Sequence, residues 1–110
     1  MRHHATHEKP VHTVYFNLQD HSPQSRAHFI KLCFDLLAGH EGELKFILGH
    51  RNDDIHRDVS DINYDVAMTI VFDSLEHYKA YDQSPRHDRF RDEISKLHCT
   101  VRVFDSFSAA

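Results

Sequence analysis

Hydrophobic residues along this chain follow two spacings, every second residue in some stretches and every third or fourth in others, which separates strands from helices. Residues 11–18 alternate: His12, Val14, Phe16 and Leu18 fall on one face, Val11, Thr13, Tyr15 and Asn17 on the other. Ser22 and Pro23 then supply an N-cap and a first helical residue. Phe29, Ile30, Cys33, Leu36 and Leu37 make a helical stripe, and Gly39 a stop. Residues 43–51 read as a second strand, with Leu44, Phe46 and Leu48 on one face and Lys45, Ile47 and Gly49 on the other. After a polar loop over 52–63, residues 64–72 read as a third strand, with Tyr64, Val66, Met68, Ile70 and Phe72 aligned. Asp73 or Ser74 caps a short helix reaching about Tyr81, with Glu76 completing an Asp-x-x-Glu pattern. Ser84 and Pro85 open another helix to about Leu97, its stripe being Phe90, Ile94 and Leu97. Residues 98–107 close the chain as a fourth strand in which Cys99, Val101 and Val103 alternate with Thr100, Arg102 and Phe104.

The order strand, helix, strand, strand, helix, helix, strand predicts an α+β, ferredoxin-like β-α-β-β-α-α-β protomer with a four-stranded antiparallel sheet and helices on one face. The bare face would carry Tyr15, Ile47, Val71 and Phe104 among Thr13, Thr69 and Arg102, which is too apolar to leave wet. Two copies packed sheet to sheet solve this, so a homodimer forming a dimeric α/β barrel is expected. Residues 1–10 read as a disordered N-terminal tail and 11–107 as one domain.

Composition narrows the function classes. At 40% hydrophobic and 27% charged, the chain has the make-up of a soluble globular domain. A formal charge of -4 argues against a nucleic-acid partner, because phosphate contacts need clustered Lys and Arg. No apolar run spans a membrane and the first residues lack a signal peptide's apolar segment, which makes the cytosol the expected location. Cys33 and Cys99 sit in apolar patterns and read as reduced core residues. Twelve histidines predict solubility that changes strongly between about pH 7 and 5. His3, His4 and His7 form a weak potential metal-binding tail. Asp53, Asp54, His56, Asp58 and Asp61 crowd the 52–63 loop, but their spacing matches no EF-hand, and a solvated loop is the better reading. Neither cofactor nor metal is expected.

Five short motifs in the right order carry a resemblance. Residues 11–16 (Val-His-Thr-Val-Tyr-Phe), 48–52 (Leu-Gly-His-Arg-Asn), 64–67 (Tyr-Asp-Val-Ala) with 72–76 (Phe-Asp-Ser-Leu-Glu), and 103–105 (Val-Phe-Asp) resemble strands and turns of the stress-responsive dimeric α/β-barrel (Dabb) domain. Residues 81–90, Tyr-Asp-Gln-Ser-Pro-Arg-His-Asp-Arg-Phe, resemble that family's Tyr-x-x-His-Pro-x-His-x-x-Phe signature. The resemblance covers about 11–107 and implies the same protomer and dimeric barrel. Family members include stress proteins of undefined biochemistry and a plant polyketide cyclase performing an intramolecular aldol condensation. A Tyr and a His of the cyclase signature are catalytic, and they fall on Tyr81 and His87. Ser84 stands where the signature has its first His, and Val66 where the cyclase has a His on its third strand.

Tyr81 and His87 are therefore the candidate catalytic pair. His87 sits in the first turn of its helix, where the dipole disfavours an imidazolium and leaves a neutral base. The Tyr81 hydroxyl can hold a carbonyl or enolate oxygen. The expected walls of a small apolar pocket between helices and sheet are His12, Val14, Phe16, Phe29, Ile30, Phe46, Phe90, Val101 and Val103. A Dabb-type protein of undefined activity binding a small apolar molecule is the leading reading. The alternatives are a cofactor-independent cyclase or lyase using the His/Tyr pair, a purely structural pair that locks the helix junction, and a monooxygenase-type or haem-degrading barrel. The last needs a His on an accessible helix facing a wide cavity; His28 and His40 are on or near the first helix, but His28 lies off its apolar stripe.

Overall fold

The structure, a computed structural model, describes residues 8–109. Strand β1 (Pro10–Asn17) leads through helix α1 (Pro23–Leu37) to β2 (Glu43–His50) and β3 (Val66–Phe72). Helices α2 (Leu75–Asp82) and α3 (Pro85–Ser95) follow, then β4 (Thr100–Phe107). The sheet is antiparallel in the order β2-β3-β1-β4. This is the expected ferredoxin-like plan, with helices on one face and both edges formed by β2 and β4.

The two faces follow from register. His12 opposes Ile70 and Asp105, Val14 opposes Met68 and Val103, and Phe16 opposes Val66 and Val101. These residues look toward the helices. The α1 stripe meets them: Phe29, Cys33, Leu36 and Leu37 are buried, and the Phe16, Phe29 and Phe90 rings pack at 4.8–6.1 Å. Tyr15, Thr13, Ile47, Val71, Arg102 and Phe104 line the opposite face. There Ile47 and Phe104 are 59% and 55% exposed.

The helix starts are those read from sequence. Ser22, Ser74 and Ser84 each cap a helix by accepting an N–H three residues on, and Pro23 and Pro85 follow two of them. Other boundaries moved for identifiable reasons. Strand β3 begins at Val66, because Asp65 turns inward, accepting the Leu18 N–H at 2.7 Å and facing His21. Tyr64 packs instead against Tyr15 on the outer face. Leu44 was expected beside Phe46 and Leu48, but the pairing slips between Glu43 and Lys45 and leaves it 55% exposed. Helix α3 stops at Ser95 and tightens through a Leu97 N–H bond to the Ile94 carbonyl. Pro10 already pairs with Phe107, and the Lys9 N–H donates to Ser108 Oγ at 2.8 Å, so the first strand starts within the segment read as tail. His3, His4 and His7 lie outside the described residues.

Candidate functional site

The α2–α3 junction is built by Ser84. Its hydroxyl oxygen accepts the His87 N–H at 3.1 Å and lies 2.7 Å from His40 Nε2. His40 Nδ1 is 3.1 Å from the Leu37 carbonyl, which can only accept, so Nδ1 carries a proton, and in the neutral ring Ser84 Oγ–H donates to Nε2. Glu43 fixes this histidine by accepting the Gly39 and His40 N–H groups at 3.0 and 3.1 Å. Arg86 donates to the Asp35 and Ala38 carbonyls, closing the end of α1. The junction is thereby tied to the α1–β2 turn.

Tyr81 lies at the heart of the ring cluster, with His87 at 4.8 Å and 86°, His40 at 5.0 Å, Phe72 at 5.1 Å and His12 at 6.0 Å. Its hydroxyl and His87 Nδ1 are buried and have no hydrogen-bond partner among the described residues. Burial pushes the Tyr81 phenol far up, so it stays a neutral donor. Burial, helped by Arg91, holds His87 below the ordinary histidine value. The neutral imidazole expected from the helix dipole is thus favoured by desolvation first.

Both residues line a cavity of about 230 Å³, together with His12, Phe16, Leu37, Met68, Asp82, Phe90, Arg91, Ile94, Val101 and Val103. It opens over edge strand β4, where Val101 and Val103 are 42% and 49% exposed. Seven of the eleven expected residues line it: His12, Phe16, Tyr81, His87, Phe90, Val101 and Val103. Val14 and Phe29 are instead packed into the core, Ile30 lies at its margin, and Phe46 packs at a tilt against Phe34. At the rim, Arg91 donates to Asp82 Oδ1 at 2.8 Å and to Asp88 Oδ1 at 2.9 Å.

Sequence reading missed a polar network at one end of this cavity. Asp105 Oδ1 accepts the Tyr78 hydroxyl at 2.7 Å and lies 2.8 Å from His12 Nδ1, while Tyr78 Oη is itself 2.8 Å from that nitrogen. Burial and Asp105 together raise the Tyr78 phenol. A signal existed, because Asp105 continues the inward phase of Val101 and Val103 and places a carboxylate on the core side of a strand.

Other candidates are accounted for elsewhere. In the 52–63 loop, Asp53 pairs with Arg51 and Asp61 with Arg102. Among the described residues no three His, Cys, Asp or Glu side chains converge as a metal site would. His28 is exposed on α1. A second hollow of about 280 Å³, between Tyr15, Asp61, Tyr64, Arg102 and Phe104, lies on the outer face and holds no sealed polar atom.

Known proteins place this geometry in context. No curated protein matches the sequence. Among solved structures, a Dabb family protein with a ferredoxin-like fold from Mesorhizobium loti is 20% identical with a TM-score of 0.75, over 94% of this chain and 99% of that one. A dimeric ferredoxin-like protein of unknown function from Thermobifida fusca is 19% identical (TM-score 0.67, 90% and 92% covered). A hydroxynitrile lyase from Passiflora edulis is 14% identical (TM-score 0.71, 91% and 93% covered). These likenesses establish the fold. The family model for the stress responsive A/B barrel domain matches residues 11–108, so the chain belongs to the Dabb family.

Proposed function

We propose that the protein binds a small, largely apolar molecule carrying a carbonyl or hydroxyl oxygen in the cavity between the helices and the sheet. The observation behind this is two buried polar atoms that lack a partner among the described residues, Tyr81 Oη and His87 Nδ1, on residues that line the cavity. A buried polar group without a partner costs about 1–3 kcal/mol, and a ligand oxygen relieves that cost. The volume suits a ring: an apolar cavity of roughly 150 Å³ already admits benzene. Phenylacetone, one ring and one ketone, is a suitable probe. Titrated against the protein, it should shift the NMR signals of His87, Val101 and Val103, and Tyr81→Phe should weaken binding up to about tenfold. Shifts confined to other surfaces would sink the reading.

A second reading is acid–base catalysis without a cofactor, of the cyclase or lyase kind. It is favoured by a neutral phenol and a neutral imidazole in contact within the cavity, the arrangement that proton transfer beside a carbonyl requires. A hydroxynitrile lyase from Passiflora edulis shares the fold, which is consistent with a lyase reading.

The working unit is a homodimer joined through the outer sheet face, where Ile47 and Phe104 lie exposed. The Thermobifida fusca relative is described as dimeric. Free Cys33 and Cys99 suit a reducing compartment such as the cytosol. The acidic balance and absence of a basic stripe suit a small-molecule partner better than nucleic acid.

A further inference from the structure

We propose that the proton-accepting atom of the cavity is His12 Nε2, with Asp105 and Tyr78 as the residues that position it; this rests on the acid–base reading above. Asp105 Oδ1 stands 2.8 Å from His12 Nδ1 and also accepts the Tyr78 hydroxyl at 2.7 Å. An ionised carboxylate only accepts, so Nδ1 must carry a proton whatever the ring's charge. That leaves Nε2 as the atom that gains or loses one. No hydrogen bond from a described residue occupies Nε2, and it is not among the polar atoms sealed from space. His12 lines the cavity, with its ring 6.0 Å from the Tyr81 ring.

His87 is the weaker choice for this role. No carboxylate of a described residue bonds its ring to support an imidazolium, and burial and Arg91 both oppose that charge. His12 has Asp105 to stabilise the imidazolium as it forms, which is how a carboxylate assists a histidine base. The geometry divides the work: His12 takes the proton, while Tyr81 and His87 serve the oxygen.

For a ketone the step balances as follows. A C–H bond beside the carbonyl breaks and its proton moves to His12 Nε2. The electron pair passes into the carbonyl, and the resulting enolate oxygen accepts a hydrogen bond from the Tyr81 hydroxyl. Return of a solvent-exchanged proton from Nε2 to carbon completes the cycle, so in D2O the net change is hydrogen for deuterium.

The test uses the full chain and phenylacetone. Long-range 1H–15N NMR should show His12 protonated at Nδ1 and bare at Nε2 when neutral. Deuterium should enter the benzylic methylene faster than in buffer, with His12→Gln losing about 100-fold of the acceleration. Asp105→Asn, nearly isosteric, should lose tenfold or more and mix the His12 tautomers; Tyr78→Phe should do the same to a lesser degree. A wild-type His12 carrying its proton on Nε2 would overturn the proposal. So would acceleration that survives both His12→Gln and Asp105→Asn. Phenylacetone that binds without faster exchange overturns the base assignment and leaves the binding reading standing; phenylacetone that never reaches the cavity removes both.

Discussion

At the scale of single residues, the cavity is defined by which polar atoms lack partners. Tyr81→Phe removes a sealed hydroxyl, so it should raise unfolding stability by about 1 kcal/mol or more in urea titrations while weakening ligand binding. His87 gives a pH signature. Its folded value lies below the ordinary 6.5, so in acid the unfolded chain takes up a proton that the folded chain resists. Its contribution is complete above about pH 6.5 and is lost as the pH falls from there toward the folded value. His87→Gln should therefore flatten the fall in urea midpoint between about pH 7.5 and 5.5 relative to wild type; an unchanged slope would argue against the burial account. The 81–90 motif made Tyr81 and His87 legible in the sequence. The inward phase of Asp105 was readable, but its role, like those of Tyr78 and His40, was not, because what these residues do depends on partners 27 to 93 positions away in the chain.

Secondary-structure elements were legible where a local device sets them. Three serine caps and two helix-starting prolines are short-range signals, and each acts where the sequence put it. The β2 bulge at Leu44 and the late start of β3 were hidden, because pairing register and the inward turn of Asp65 are settled by neighbouring strands. Ser84 shows how one cap serves two elements. Ser84→Ala should cost about 1 kcal/mol as an N-cap and also release His40, loosening the junction that holds Tyr81. Hydrogen exchange should report faster opening of both α3 and the α1–β2 turn. Gly42 is a second such point: its φ is +87° and an added Cβ would collide with His77. Gly42→Ala should destabilise the fold more than Gly39→Ala, whose Cβ would meet open space.

For the whole molecule, the apolar outer face was visible in the alternation of four strands, which is why a two-copy assembly could be expected before any geometry. Light scattering should give about twice the 12.9 kDa chain mass, and Ile47→Asp, which places a charge on the exposed apolar face, should shift it toward the monomer. A mass that stays at the single-chain value for wild type would contradict the sheet-to-sheet arrangement. Burying that face would still leave the β4 margin beside the cavity mouth. Along Thr100–Phe107, one row of backbone groups has no strand neighbour, and Val101 and Val103 flank it half exposed. Such a border is a template for further strands. In colloidal terms, the cavity mouth lies beside a border prone to self-association, so phenylacetone held there as proposed should slow fibrillar aggregation on warming.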